Sequence, residues 1–422
     1  MTAPRDPRGF LRSLFDAAVA AAQPERSVAA FLPEKPKGRT VVIGAGKGAA
    51  QLAQAFEQHW DAPLEGVVVT RYGYAAPCER IEVLEAAHPE PDEAGLLAAK
   101  RLLDTVQGLT EDDLVVALVC GGGSALLPAP PEGLTLADEL AVNRALLASG
   151  APITQMNTLR KHVSEIKGGR LARAAHPAKV VSLIVSDIPG DDPAMVASGP
   201  TVPDPAGPQA AREILAEYAL DLPQAVRDHL ASDECAAPSP DDPAFANNEV
   251  HIIASAAVSL EAAQARAREL GVEAVILSDA IEGESRDVAR VHSALAREIA
   301  ARDRPFTKPV VLLSGGETTV TLKAKGKGGR NSEFLLSLAL DLDGIEGVHA
   351  LAADTDGIDG SEDNAGGFVD GGTATRIRAA GADPRALLSG NNAWTALDTA
   401  GDLLVTGPTG TNVNDFRAIL IV

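Results

Sequence analysis

One stretch restricts what this chain can fold into more than any other. The apolar run Leu114-Val115-Val116-Ala117-Leu118-Val119-Cys120 breaks abruptly into Gly121-Gly122-Gly123-Ser124. The run has strand length, is too short for a helix in a large core, and is rich enough in Val to be buried on both faces. Glycines placed after such a strand let successive backbone N–H groups converge on an anion at closer range than a side chain would permit. In an open α/β sheet, ligands gather beyond the carboxyl ends of the strands. Gly121, Gly122, Gly123 and Ser124 are therefore candidate phosphate-binding residues; the alternative is a tight strand-to-helix turn that binds nothing.

A chain of 422 residues is too long for one ordinary core and implies two or three domains. Hydrophobic residues make up 45% and aromatics only 3%, so the interior is built from Ala, Val, Leu and Ile, the material of helices packed on parallel strands. A formal net charge of -21 argues against nucleic-acid and anionic-membrane partners. An anionic substrate then requires locally concentrated basic residues. Cys78, Cys120 and Cys235 give neither a disulfide framework nor metal-ligand spacing, which fits a reducing cytoplasm. The N-terminus lacks a signal-peptide layout, and no apolar run reaches the roughly 18 residues of a membrane span.

Helical spacing between Gly9 and Leu32 predicts a leading amphipathic helix. The first strand, Arg39 to Ile43, runs into Gly44-Ala45-Gly46-Lys47-Gly48-Ala49, a relaxed G-x-G-x-x-A pattern. Two features weaken a nicotinamide reading. The next strand, Gly66 to Thr70, ends at Arg71 and not at the acid that would take a ribose hydroxyl. Lys47 also lies within the turn, at the positive end of a helix dipole, where a lysine is unfavourable unless an anion shares the place. Lys47 thus reads as a phosphate or carboxylate ligand, with a solvated charge as the alternative. His88, in His88-Pro89-Glu90-Pro91-Asp92, reads as a loop hydrogen-bonder and not as a catalyst.

Asn157 to Arg170 holds the densest basic cluster, with Arg160, Lys161, Lys167 and Arg170. It is either a solvated helix face or an anion site, and the lack of another such cluster in so acidic a chain favours the anion site, with Lys161 as a nucleotide ligand. After the strand Val180 to Val185 come Ser186-Asp187-Ile188-Pro189-Gly190-Asp191. Asp187 and Asp191 suit magnesium, which takes few protein ligands and keeps phosphate oxygens and water for the rest, or they cap helices and form turns. A proline-rich acidic stretch between Ala231 and Asn248 places a domain boundary near residue 240. This gives a larger doubly wound, Rossmann-like domain over 1–240 and a smaller α/β domain over 241–422 that opens with a strand from Val250 to Ala254. In the second domain, Thr318 to Leu322 alternates as a strand should. Arg330 stands at a predicted helix start, where a forked donor and free N–H groups can clamp one anion. The strand ending at Ala353 leads to Asp354-Thr355-Asp356, carboxylates suited to metal binding or proton abstraction.

Together these loops resemble the type II glycerate kinases, the glycerate 2-kinase family with a C-terminal MOFRL domain. The residues that carry the likeness are Gly44 to Lys47, Cys120 to Leu126, Arg160 to His162, Ile166 to Leu171, Ser186 to Asp191, Ser198 to Thr201, Ser314 to Thr318, Gly329 to Asn331, Ala353 to Gly360 and Gly407 to Asn412. They follow the family's order over nearly the whole chain. The resemblance implies ATP-dependent phosphorylation of D-glycerate to 2-phosphoglycerate with Mg2+, in a cleft between two α/β domains. It makes Lys47 and Arg330 basic active-site positions and Asp356 an acidic one. Asp363-Asn364 departs from the family's lead-in to Ala365-Gly366, which leaves that loop's role open.

Phosphoryl transfer asks a protein mainly for alignment and for positive charge where negative charge spreads. The expectation is that Gly121 to Ser124 cradle the ATP phosphates, Asp187 and Asp191 hold Mg2+, Lys47 and Arg330 reach the glycerate carboxylate or the transferring group, and Asp356 orients or deprotonates the 2-hydroxyl. Closure of the cleft would expel water. A homo-oligomer is open. The rival enzyme is an NAD(P)H-dependent hydroxypyruvate reductase using the Gly44 turn. A non-enzymatic module for nucleotides or organic acids is the second alternative.

Overall fold

The computed structural model describes residues 3–422. Its first compact unit, Pro24–Ile253, is organised by the strands Thr40–Ala45 (β1), Glu65–Arg71 (β2), Ile81–Ala86 (β3), Leu114–Cys120 (β4), Lys179–Val185 (β5) and Glu249–Ala254 (β6). They form one sheet in the order β3-β2-β1-β4-β5-β6. The pairs from β3 across to β5 are parallel. Every residue of β1 and β4 is buried, as a parallel strand covered on both faces demands. The core is aliphatic, with Val41, Ile43, Val67, Val115, Ala117 and Val180 among its members.

A second core in the same unit lies among the helices Leu136–Ser149, Ile153–His162, Pro208–Glu217 and Gln224–Ala231, where Val142, Leu146, Leu159, Ile214 and Val226 meet. Two buried ion pairs fasten this region. Lys161 Nζ is held by Asp204, and Lys167 Nζ lies 2.5 Å from Glu139 Oε1. A buried charge without a partner costs several kcal/mol, so each pair fixes where its elements can sit.

The second unit combines the residues up to Gln23 with Ala254–Val422. Its strands are Glu273–Ser278 (β7), Gly283–Glu284 (β8), Val310–Gly316 (β9), Thr318–Thr319 (β10), Val348–Asp354 (β11), Gly366–Asp370 (β12), Leu403–Leu404 (β13) and Asp415–Ile421 (β14). The main sheet runs β13-β12-β11-β14-β9-β7, and β8 pairs with β10 apart from it. The sheet is mixed: β14 runs antiparallel to both β11 and β9, whereas β7 and β9 are parallel. The α/β class therefore holds for both units, one with a parallel sheet and one with a mixed sheet.

Several boundaries differ from the sequence reading. The leading helical stretch is two helices, Pro7–Ala21 and Pro24–Ala30, because Pro24 has no N–H to continue the first. The first of them belongs with the second unit: Phe10, Leu14 and Phe15 pack among Leu260, Ala263, Phe416 and Ala418. Arg8 bonds Asp402 at 2.7 Å, and Ser259 Oγ donates to Ala18 O at 2.9 Å. The strand expected to open the second domain is instead β6, the last strand of the first sheet, where Asn248 Oδ1 accepts Val180 N at 2.9 Å. The units thus divide near residues 23 and 253, in contrast to the single cut expected at 240. The alternating stretch after Glu317 is a strand only at Thr318–Thr319. Beyond it Thr321 bonds the Glu284 side chain and Leu322 is 77% exposed. Among the described residues, no helix is long and apolar enough to cross a membrane.

Lys167→Met should lower the stability of the protein by about 3–5 kcal/mol in urea denaturation, because Glu139 is left as a buried unpaired charge. The double variant Lys167→Met/Glu139→Leu should recover most of that loss.

Candidate functional site

The register of the first sheet explains why its glycine loops meet. Leu84, Val69, Ala45, Val119 and Ile184 stand in one transverse line. Just past it the chain leaves the sheet at Arg71, Lys47, Gly121 and Ser186. The first two loops are stitched together: Lys47 N donates to Gly121 O at 2.9 Å, and Gly46 N to Val69 O at 3.1 Å. Gly48 N donates to Cys120 Sγ at 3.2 Å, and burial pushes that thiol up to about 12, so Cys120 acts as a buried wall and not as a nucleophile.

Gly121 and Gly122 are required for different reasons. A methyl on Gly121 would fall 1.8 Å from Asp187 Oδ2, so the missing side chain admits that carboxylate against the loop. Gly122 has φ 81 and would press a side chain to 2.9 Å from Lys47 Cγ and 3.0 Å from His88 Nε2. Lys47, Gly121, Gly122 and Asp187 are thus brought together, as the sequence reading expected, and His88, which that reading set aside, joins them. Ser124 sits in a side-chain chain beside the loop. Asn157 Nδ2 donates to Met195 O and Asn157 Oδ1 accepts from Arg160, which orients the amide. Ser198 then donates to that oxygen at 3.1 Å, and Ser124 meets Ser198 Oγ at 2.8 Å. With the single Ser198 proton already directed to Asn157, Ser124 is the donor. Asp191 lies farther along its loop, with a left-handed φ of 52.

The basic cluster from Asn157 to Arg170 does not form an open anion site. Lys161 and Lys167 are fully buried in ion pairs, and Arg170 donates to the carbonyls of Lys161, Cys235 and Ala236. The expectation that Lys161 meets a nucleotide finds its ammonium already held by Asp204 and shielded from solvent. Buried cations must be paired, and these were matched by acids far away in sequence.

In the second unit the antiparallel placement of β14 brings Asp415 level with Asp354 on one side and Gly316 on the other. Arg330 opens the helix Arg330–Asp341, as expected, and its guanidinium is gripped by three acids. Nε donates to Asp415 at 2.6 Å, Nη2 to Asp354 at 2.6 Å and Nη1 to Glu317 at 2.8 Å. Although burial opposes it, the charges of Asp415 and then Asp354 raise the Arg330 pKa further. Asp415 also accepts from Asn331 at 2.7 Å and from Arg417. Asp354 is raised well above the ordinary carboxylate range, by burial first and then by Asp356 and Asp415 against the pull of Arg330. Asp356 Oδ1 accepts Ile358 N at 2.8 Å.

The helix N-terminus expected to offer free N–H groups is already capped. Asp359 accepts Asn331 N at 2.9 Å, Ser332 N at 2.7 Å and Ser332 Oγ at 2.5 Å. Asn364 braces this cap by donating to Ser332 Oγ at 3.1 Å and to Gly366 O at 3.0 Å, which gives the divergent Asp363-Asn364 segment a structural role. Asp415 and Asp359 were missed by sequence reasoning. A signal existed for Asp415: it and Arg417 are two apart in an otherwise apolar strand, hence on the same face and able to pair.

Comparison with known proteins places these loops in a wider set. The profile of a domain of unknown function, DUF4147, matches residues 10–231, and that of the MOFRL family matches residues 310–415. A protein of Agrobacterium vitis that carries hydroxypyruvate reductase as a provisional name is 54% identical over 98% of this chain and 94% of its own. A Thermotoga maritima protein named D-glycerate 2-kinase is 40% identical over 94% of each chain. The crystal structure of a Thermotoga maritima glycerate kinase superposes with a TM-score of 0.92 at 39% identity, covering 99% of this chain and all of that one.

His88 is held neutral by burial first and then by the charges of Lys47 and Arg71, which bring its pKa from 6.5 down to about 4. Its imidazole resonance should therefore titrate with a midpoint near 4 in a histidine NMR series. Between pH 4 and 6.5 the unfolded chain binds a proton here that the folded chain does not, so the contribution of His88 to stability rises with pH across that window and is constant above it.

Proposed function

The chain belongs to the glycerate kinase family that joins a DUF4147 domain to a MOFRL domain, and on that premise we propose that it transfers the γ-phosphoryl group of ATP to the 2-hydroxyl of D-glycerate, releasing ADP and 2-phosphoglycerate. The observation that carries this reading is the near-complete alignment, in sequence and in backbone, with proteins named for that activity.

The first unit supplies a phosphate-handling edge. Gly121, Gly122, Gly123 and Ser124 are proposed to cradle the polyphosphate, with Lys47 adjacent to balance its charge. Mg2+ bound with a nucleotide takes one or two carboxylates and leaves its other positions to phosphate oxygens and water. Asp187, set against Gly121, has the required donor chemistry beside that loop, and Asp191 is proposed as the second ligand. When bound, Mg2+ would neutralise charge on the phosphate oxygens. Among the described residues no three His, Cys, Asp or Glu side chains form a metal cage, and a nucleotide-borne ion does not require one.

The second unit supplies a charged cluster that is proposed to act on glycerate. Arg330 keeps Asp415 and Asp354 as fixed partners that hold its fork in plane. Glu317, the most exposed of its three acids at 51%, is the one a substrate oxyanion would replace. The glycerate 2-hydroxyl oxygen forms the new bond to the γ-phosphorus as the bond to the β–γ bridging oxygen breaks, and ADP leaves with that electron pair. Asp356 is proposed to orient the hydroxyl and take its proton. Lys161, paired with Asp204 in the interior, is proposed to support the loop region from beneath and not to touch nucleotide.

A reductase reading has one point in its favour, the provisional name of the Agrobacterium vitis relative. It is weakened by β2, which ends at Arg71 where a nicotinamide site would place an acid for the ribose. Phosphorus NMR of a reaction with ATP and D-glycerate should show 2-phosphoglycerate and ADP, whereas NADH absorbance with hydroxypyruvate should stay constant. Lys47→Ala should reduce turnover by about two orders of magnitude or more while retaining the melting profile of the parent; Arg330→Ala should reduce it as far but also lower the melting temperature, because buried Asp354 and Asp415 lose their cation. Oxidation of NADH without formation of ADP would overturn the kinase reading.

A further inference from the structure

Arg71 takes no part in the reaction as described above, yet its surroundings are those of a ligand-binding residue. It ends β2 in register with Ala86 of β3, and His88 follows two residues after Ala86. Both chain ends therefore emerge at the same edge of the sheet as Lys47. The Arg71 guanidinium carbon lies over the Tyr74 ring, 3.6 Å from its centroid, a cation–π contact that leaves N–H donors free for a further partner. Its Nε is buried and has no hydrogen-bond partner. Among the described residues no carboxylate forms an ion pair with it.

That lack of an acid does not reflect a shortage of acids nearby. Glu85, on β3, turns to the backbone: its Oε1 accepts Gly73 N at 2.6 Å and Tyr74 N at 3.2 Å. Asp92 accepts Ala87 N, Gly95 N and the Tyr72 hydroxyl at 2.7 Å. The carboxylates that would have neutralised Arg71 instead shape the two loops and fix Tyr74 beneath it. In this unit the buried lysines each have an acid of their own. Arg71 instead stands close enough to His88 to depress its protonation, as Lys47 does. Lys47 and the neutral imidazole of His88 lie beside the left-handed turn at Gly122, and with Arg71 near that imidazole they call for an oxyanion.

We propose that Arg71 and His88, with Lys47, hold a single oxyanion group of a substrate: Arg71 by its planar fork, His88 by a neutral ring N–H, and Tyr74 as the platform that sets the fork's plane. The inference rests on the kinase reading for its two sources of such a group, the carboxylate of glycerate and a phosphate of ATP.

Steady-state kinetics of Arg71→Gln separates the two. If the group is the carboxylate, KM for D-glycerate rises about tenfold or more, the scale of one lost charge-assisted contact, while KM for ATP stays within twofold. If it is a phosphate, the pattern reverses. Tyr74→Leu should shift the same KM by a smaller factor. A folded Arg71→Gln protein with both KM values within twofold of the parent overturns the proposal, whatever happens to kcat. Should Arg71→Gln fail to fold, His88→Gln decides by the same criterion.

A second measurement does not depend on turnover. The His88 resonance, assigned with His88→Gln, is followed as D-glycerate or inorganic tripolyphosphate is added to the parent protein. A shift with either probe that is absent in Arg71→Gln supports the site even if no kinase activity is found. No shift with either probe, or the same shift in Arg71→Gln, overturns it.

Discussion

Each fully buried cation of this protein is answered by an acid. Lys161 is answered by Asp204, Lys167 by Glu139 and Arg417 by Asp415, and none of these pairs is close in sequence except the last. Each pair removes a cation from the set that can bind substrate. Arg160 and Arg170 lack an acid but are answered by neutral oxygens, whereas Arg71 keeps a buried Nε with no partner at all.

The two units handle the polar ends of their elements in opposite ways. In the first, parallel strands stop in line and release two glycine turns that bond to each other through Lys47 N and Gly121 O, with Asp187 admitted against Gly121. In the second, the antiparallel strand β14 returns an acid, Asp415, to the level where β9 and β11 end. Arg330 is thereby surrounded by carboxylates, and the helix behind it is capped by Asp359, whose own pKa is pushed up to about 6 by burial against the pull of its hydrogen bonds from Ser332 and Asn331. The first arrangement gathers Lys47 and His88 beside a glycine turn, the parts proposed to take a polyphosphate. The second offers an arginine of fixed orientation among acids, chemistry suited to positioning a hydroxyl and accepting its proton.

How much of this could be read from the sequence depended on whether the information was local. The strand ending at Cys120 with its glycine turn, the turn at Lys47, the strand before Asp187 and the helix starting at Arg330 are legible because strand length, glycine placement and helix onset are properties of a few adjacent residues. The partners of charged residues are not. Nothing adjacent to Lys161 indicates Asp204, which reaches it from a distant loop, and nothing adjacent to Arg330 indicates Asp415, which sheet order and strand direction bring to it. The same limit applies to the domain division. The proline-rich stretch before Asn248 looks like a linker by composition, but β6 follows it and completes the first sheet, and the helix Pro7–Ala21 packs beside residues more than two hundred positions away in the chain.

His88 and Arg71 show the limit from the other side. Taken singly, a histidine before a proline and an arginine at a strand end are ordinary loop residues. The parallel register that aligns Val69 with Leu84 and Ala45 brings them to one edge with Lys47, and only there does the placement of Glu85 and Asp92 gain meaning. Glu85 at the end of β3 and Asp92 in the loop after it both turn to backbone N–H groups and form no ion pair with Arg71. Mutual repulsion among Lys47, Arg71 and a protonated imidazole would be unfavourable, and the fold relieves it by keeping His88 uncharged. A bound oxyanion relieves it further, so ligand binding at this edge and protonation of His88 favour one another, each lowering the free energy of the other.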